Sequence, residues 1–226
     1  MMMFTQKYFD KVTRWQVERQ RNFRSIPLSG IKVNYLGKQF LVFKNVFIPF
    51  IDTEPLIKHF RINKGESVLD IGTGCGLIAI FAAYKRTEKI IAVDINPDAV
   101  KTAKVNVQLH GFSDIIEIRQ SDVFSQIKKG EKFDVITANL PLRNKQAKNI
   151  IEASMWDTNL QAHKKLLHGA KVHLKKTGCI YLSQSNFGAV KEVIKLSQKE
   201  NFKVKVIGQK HKSRDEIFYA LQIERI

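Results

Sequence analysis

The chain has 226 residues, 44% hydrophobic and 26% charged, the proportions of a soluble globular protein rather than a disordered or fibrous one. Its longest nearly apolar stretch, Gly76 to Tyr84, falls far short of the roughly 20 residues of a membrane span, and the N-terminus lacks the apolar run of a secretory signal, so a cytoplasmic protein with no membrane partner is expected. The 38 basic residues outnumber 21 acidic ones for a net charge of +17, a field that attracts polyanions; with 28 Lys against 10 Arg, compositional bias and solubility are competing explanations.

Phe4, Tyr8, Val12 and Trp15 recur at helical spacing, which predicts an amphipathic helix within residues 1–24 that caps the domain behind it, with a basic arm of Lys7, Lys11, Arg14, Arg19, Arg21 and Arg24 touching substrate as the alternative. Residues 31–48 alternate in the strand manner around Gly37-Lys38 and predict a hairpin. Thr53 and Pro55 then predict a helix start, with Thr53 as its cap. From Glu66 onward strands and helices alternate. Strands are expected at 67–71, 89–93, 115–118, 133–138, 179–183, 204–207 and 217–223, with helices at 77–84, 97–110, 159–174 and 187–199. Such a rhythm implies right-handed crossovers and a mostly parallel sheet. The last two strands are joined only by His211–Glu216, too short for a helical crossover, so they should run antiparallel. The division expected is a basic helix-and-hairpin extension over 1–48 and a single α/β domain over 49–226.

Four strand ends carry residues suited to chemistry. The first strand ends in Asp70-Ile71-Gly72-Thr73-Gly74-Cys75-Gly76, a turn whose glycines let backbone approach a ligand. Its Gly-x-Gly-x-Gly spacing differs from the nicotinamide fingerprint, whose third glycine falls at position 77, here Leu. Asp70 would repel a pyrophosphate but suits a ligand with a positive end. Asp94, in Val-Asp-Ile-Asn-Pro, ends the next strand and can accept both hydroxyls of a ribose, or else cap the Pro97 helix. Ser121-Asp122-Val123-Phe124 follows the third strand; Asp122 can accept from an adenine amino group, with Val123 and Phe124 flanking the ring. The fourth ends in Asn139-Leu140-Pro141-Leu142, which by itself also fits a simple turn.

These motifs resemble those of the class I S-adenosylmethionine-dependent methyltransferases, over about residues 47–225. The resemblance implies a Rossmann-like α/β sheet of seven strands in the order 3-2-1-4-5-7-6, with strand 7 antiparallel, and S-adenosyl-L-methionine as cofactor. It implies that Gly72, Gly74 and Gly76 line that cofactor, that Asp70 faces its methionine part, that Asp94 with Asn96 beside it meets the ribose, and that Asp122 with Val123 meets the adenine. The tetrad at 139–142 is similar to the Asn/Asp-Pro-Pro-Tyr/Phe signature of methyltransferases acting on planar amines and amides. Val-Phe-Ile-Pro-Phe-Ile-Asp-Thr-Glu-Pro-Leu before the glycine turn resembles a segment of the HemK-type glutamine methyltransferases that closes the cofactor site, which implies a contact from Thr53. Two departures stand out: that segment's arginine is Phe50 here, and the tetrad's final aromatic is Leu142.

An amino or amide NH2 conjugated to a π system is a poor nucleophile. Acceptors at the Asn139 side chain and the Leu140 carbonyl, followed by Pro141, can hold its two hydrogens and aim its lone pair at a sulfonium methyl, so that positioning and electrostatics carry the transfer. A nucleic acid amine is the first acceptor expected, with a protein glutamine in the translation apparatus, a small molecule, or an inactive cofactor-binding scaffold as alternatives. Trp156 and Phe187 are candidates to replace the missing aromatic, though core packing fits both. Arg143, Lys145 and Lys148 either steer a phosphate backbone or sit in a solvated loop. Cys75 and Cys179 fit small packing residues, and His163, His168 and His173, spaced by five, turn about 140° from each other on a helix, so no metal is expected.

Overall fold

A computed structural model describes residues 4–226; the first three residues of the predicted N-terminal helix region lie outside the described residues. In chain order the elements are α1 (Gln6–Ser25), β1 (Ile31–Tyr35), β2 (Lys38–Val42), α2 (Glu54–His59), β3 (Ser67–Ile71), α3 (Leu77–Ala83), β4 (Lys89–Asp94), α4 (Pro97–Leu109), β5 (Ile116–Gln120), β6 (Phe133–Ala138), α5 (Ile150–Ala153), a 3-10 turn (Thr158–Leu160), α6 (Gln161–His173), β7 (Leu174–Ser185), α7 (Val190–Lys199), β8 (Phe202–His211) and β9 (Ile217–Arg225). Seven strands form one sheet in the order β5-β4-β3-β6-β7-β9-β8. The first five run parallel, and β9 is antiparallel to both β7 and β8. Counted from β3, this is the order 3-2-1-4-5-7-6 with the last strand reversed.

The central strands are apolar on both faces because both faces are covered. Val68, Ile90 and Ala92 pack towards α3 and α4, whereas Leu69, Ile71, Ile91 and Val93 pack with Leu166, Leu167 and Val193 of α6 and α7. The β1–β2 hairpin lies over the first of these faces and buries Phe40 and Val42 completely. Its two-residue turn, Leu36-Gly37, has positive φ at both positions (45° and 78°), the backbone twist that suits a tight hairpin. Asn106 of α4 fastens the hairpin to the sheet: its side chain accepts from the Leu41 N–H at 2.8 Å and donates to the Leu41 and Cys75 carbonyls at 2.7 and 2.8 Å.

Helix α1 caps the domain. Phe4, Tyr8 and Val12 meet Phe187 and Phe218, and Phe23 is buried with Phe47, Met155 and Trp156. The surface it covers is at the carboxyl ends of the strands. Three local features depart from the pattern in the sequence. Strand β7 begins at Leu174, five residues before the apolar run at 179, and passes through Gly178 where the Asp134 carbonyl lies too close for any Cβ (2.7 Å). Helix α5 and the 3-10 turn were not expected between 142 and 159; with four and three residues they are too short to show a period. Thr53 stands at the N-cap position of α2 without a capping side-chain bond, because its hydroxyl is engaged elsewhere, as described below.

Asp70 is fully buried behind the glycine turn. Its two oxygens accept from the Thr73 and Thr137 hydroxyls, each at 2.7 Å, tying the turn and β6 to the end of β3. Burial raises this carboxyl to about 6, against the pull of the threonine hydroxyls and the Ala79 N–H, with nearby Asp94 adding to the rise.

Two outcomes are expected. A carboxyl raised in the folded state contributes its full stability below its unfolded value of about 4 and loses it as pH rises through about 6. Thermal unfolding of Asp70→Asn should therefore gain on wild type across that interval, with a constant difference above about pH 7; a variant that loses ground to wild type as pH rises contradicts this. Asn106→Leu leaves buried backbone groups of Leu41 and Cys75 without partners and should lower stability in urea unfolding by about 2–4 kcal/mol.

Candidate functional site

A cleft of about 370 Å³ opens at the carboxyl ends of β3, β4, β5 and β6, a volume within the usual range for small-molecule sites. One half is bounded by the glycine turn and the ends of β4 and β5, the other by the 139–142 tetrad, α1 and the 143–158 segment.

The glycine turn is built from backbone bonds to the neighbouring strand. The Gly72 and Thr73 N–H groups donate to the Val93 carbonyl at 2.8 and 3.0 Å. The Gly74 N–H donates to Asp94 Oδ2 at 2.8 Å, and the Asn96 N–H donates to Asp94 Oδ1 at 2.9 Å. Gly72 and Gly74 have φ of 69° and 57°, which a side chain would strain, and a Cβ on Gly74 would meet nothing within 4 Å. The turn thus presents bare backbone to the cleft, with the Asp94 carboxylate held beside it. Burial raises the Asp94 carboxyl while the Asn96 and Gly74 N–H groups lower it.

Of the expected cofactor contacts, Thr53, Gly72, Gly74, Asp94, Asn96, Asp122, Val123 and Asn139 all border the cleft, as do Leu140 and Pro141. Asp70 and Gly76 are not among its walls. Asp70 is the clamp described above, and Gly76 (φ 85°) starts α3 where a Cβ would come within 3.4 Å of Ala103, so it serves the approach of α3 to α4. The Asn96 side chain caps α4 by accepting from the Asp98 N–H at 3.0 Å and donates to the Asn45 carbonyl at 2.9 Å, which uses its polar atoms. Asp94, in consequence, is not the helix cap. Asp122 forms an ion pair with Lys165. Val123 borders the cleft with φ of 54°, a strained value for a β-branched residue. Phe124 turns away from the cleft and stacks on His173 of α6 at 5.0 Å, in a space left by Gly169.

The tetrad is held more firmly than its sequence suggests. The Asn139 Nδ2 donates to Asp52 Oδ2 at 3.0 Å and to Thr53 Oγ1 at 2.8 Å. With both amide hydrogens occupied, Oδ1 is left as the free atom. Asp52 is buried, at 5% exposure, and its Oδ1 has no partner. Burial raises its carboxyl, and the Asn139 amide, the charge of Arg19 and the backbone N–H groups of Asp52 and Thr53 oppose the rise. Leu140 is buried beneath Gly72, and the Leu142 carbonyl accepts from the Ala189 N–H at 2.7 Å.

The remaining walls are aromatic: Trp15 from α1, Phe47 and Phe50 before α2, Trp156 from the strap, and Phe218 from β9. Phe187 instead packs against Phe218 at 5.5 Å and stays outside the cleft walls. The Gln16 side-chain oxygen accepts from the Trp156 indole N–H at 2.8 Å and from Arg143 at 3.2 Å, and Arg143 also donates to Thr13 at 2.8 Å. Arg143 is therefore a tie between tetrad and helix rather than a free cation, and burial lowers its pKa. The Arg19 guanidinium lies 4.6 Å over the Phe50 ring and donates to the Ile48 carbonyl at 2.8 Å, so α1 brings an arginine to the position where residue 50 is not one. Lys145 sits 4.0 Å over Trp156, and Lys212 sits 4.6 Å over Trp15. The strap itself is anchored by Asp157, whose oxygens accept from the Ala162 and His163 N–H groups and from the buried His163 ring at 2.7 Å.

Asp52, Trp15, Gln16 and Arg19 are the site residues that sequence reasoning missed. Trp15 lay in the stripe favoured as a cap, Gln16 carried no motif, and Arg19 was singled out only as part of a basic arm. Asp52 lay within a segment whose only singled-out contact was Thr53.

The cleft suits an adenosyl donor: bare glycine backbone stands beside the Asp94 carboxylate, and the tetrad side holds a buried carboxylate oxygen without a partner. Comparisons with known proteins agree. Residues 51–212 match the methyltransferase small domain family. A Methanocaldococcus jannaschii protein named for protein N5-glutamine methyltransferase activity is 32% identical over 187 residues, 80% of this chain and 89% of its own length. The release factor glutamine methyltransferase of Clostridium acetobutylicum is 34% identical over 126 residues, 52% of this chain and 44% of its own length. Among solved structures, the T. thermophilus 16S rRNA N2 G1207 methyltransferase in complex with AdoMet and guanosine has a TM-score of 0.64 at 17% identity, covering 87% of this chain and 50% of that one. The M. jannaschii tRNA m1G37 methyltransferase has a TM-score of 0.63 at 22% identity, covering 87% of this chain and 56% of that one. At these identities the two structures establish the fold alone. The chain belongs to the methyltransferase small domain family, within the class I S-adenosylmethionine-dependent methyltransferases.

Proposed function

We propose that the protein transfers a methyl group from S-adenosylmethionine to a planar amino or amide nitrogen, with an exocyclic amine of a nucleic acid base as its first acceptor. The observation that carries this reading is the fixed Asn139 amide, whose two hydrogens go to Asp52 and Thr53. Its oxygen and the Leu140 carbonyl are then two acceptors for the two hydrogens of an incoming NH2 group. Such a grip draws the nitrogen lone pair out of conjugation and directs it at the donor. The bound cofactor supplies an electrophilic methyl on a sulfonium whose leaving thioether needs no proton. The chain's own part is to bind, orient and exclude water, with Gly72 and Gly74 against the donor and Asp94 at its ribose.

A nucleobase is favoured by the acceptor half, where Trp15, Phe47, Phe50 and Trp156 offer stacking surfaces and Lys145 brings positive charge to the Trp156 ring. In this reading the extension of residues 1–48 is the acceptor-side wall of the domain that follows it. A second reading, a glutamine amide on a translation-associated protein, is favoured by the names of the two relatives above; either acceptor belongs to the cytoplasm.

Purified protein and radiolabelled S-adenosylmethionine added to cell extract should yield label that nuclease releases and protease does not. Protease-sensitive label would move the acceptor to the second reading, and no transfer to any fraction would mark a cofactor-binding scaffold. Asn139→Ala should abolish transfer, a loss of at least about a hundredfold, while cofactor affinity in calorimetry changes little. Asp94→Ala should weaken cofactor binding itself; equal losses in both variants contradict the separation of roles.

A further inference from the structure

Five carboxylates stand in or just behind the cleft, and four of them are spoken for. Asp70 has both oxygens on threonine hydroxyls. Asp94 is held by the backbone N–H groups of Gly74 and Asn96 at the ribose position. Asp122 is paired with Lys165, and Asp157 with His163 and the first amides of α6. Asp52 is different. Its Oδ2 accepts from Asn139, and its Oδ1 is buried without a hydrogen-bond partner, the one carboxylate oxygen in that condition among the described residues. The cation whose charge acts on it, Arg19, is turned to the Ile48 carbonyl and the Phe50 ring.

A buried carboxylate oxygen left unpaired is costly, and such a group is retained where a ligand completes it. The family's cofactor carries a cation, an ammonium on its methionine end, that needs a carboxylate or carbonyl partner. Asp70, the acid the sequence offered for this task, is closed off behind the turn.

We propose that Asp52 is the carboxylate that receives the methionine ammonium of the cofactor. One side chain then serves both partners of the reaction. Oδ1 holds the donor's amino-acid end, while Oδ2 fixes the Asn139 amide that meets the acceptor. Seating of the cofactor and orientation of the acceptor's hydrogen-bond partner are coupled through a single carboxylate. The inference rests on the cofactor of the family and not on which acceptor is methylated.

The test uses two ligands and two proteins. S-adenosylhomocysteine keeps the ammonium but has a neutral thioether, so it isolates this contact from any attraction to the sulfonium. Its des-amino analogue lacks the ammonium. Asp52→Asn keeps an oxygen for Asn139 and removes the charge. In calorimetric titrations wild type should bind S-adenosylhomocysteine at least about tenfold more tightly than the analogue, the scale of a charge-assisted hydrogen bond. In Asp52→Asn that preference should vanish, with affinity for the analogue within about twofold of wild type; a merely structural role would weaken both ligands alike. Thermal unfolding of the ligand-free variant at or above the wild-type temperature would establish that it folds. Should it not fold, the wild-type pair of titrations still decides, since equal affinities there overturn the proposal. A preference that persists in Asp52→Asn also overturns it, as does a variant that binds both ligands normally but has a raised KM for its acceptor. Wild type that binds neither ligand would instead contradict the methyltransferase reading itself.

Discussion

The two hydrogens of the Asn139 amide decide what the cleft can do. An asparagine side chain that is free to turn presents a donor and an acceptor interchangeably. Here both N–H bonds are committed to Asp52 and Thr53, so only the oxygen is left to accept from a ligand. The commitment depends on bringing together residues 86 and 87 positions apart in sequence. That in turn depends on the tetrad at the end of β6 lying beside the segment that leads into α2. The sheet order supplies this: β3 and β6 are neighbours, and Asp70 ties their ends through Thr73 and Thr137.

The second constraint is the cover over the acceptor half. Helix α1 and the 143–158 strap are joined by Gln16, which accepts from Trp156 on one element and from Arg143 beside the tetrad. The strap is pinned at its far end by Asp157 on the buried His163. The aromatic lining is therefore assembled from four distant segments rather than from one motif. The large positive charge is spent unevenly. Arg143, Lys165, Lys210 and Lys212 are held by partners inside the chain, and Arg19, Lys145 and Lys212 stand on the rings of the cleft.

The strand-helix rhythm, the reversed last strand and the cleft's location at strand ends were legible because each follows from local patterning: apolar runs of four to six residues, proline at a helix start, and a connection too short for a crossover. Glycine spacing and the carboxylate Asp94 at a strand end marked one half of the cleft for the same reason. What sequence could not supply was direction. Asp70 and Asp94 look equivalent at the ends of adjacent strands, yet one is sealed by two threonines and the other borders the cleft. Phe124 follows Val123 directly, but the gap at Gly169 draws it into the helix layer. Trp15 shares its helical stripe with core residues and faces the cleft because α1 runs across the strand ends. Leu142, a loss when read along the chain, has aromatic neighbours contributed from elsewhere in space.

Side-chain amide resonances report the central interaction most directly. In the complex with S-adenosylhomocysteine, nuclear magnetic resonance should find the two Asn139 Nδ2 protons inequivalent, slow to exchange with solvent, and in nuclear Overhauser contact with the Thr53 side chain. Fast exchange of those protons, or contacts that run from them to the ligand instead of to residue 53, would mean that the amide nitrogen rather than its oxygen faces the reacting groups, and the site would not act as described.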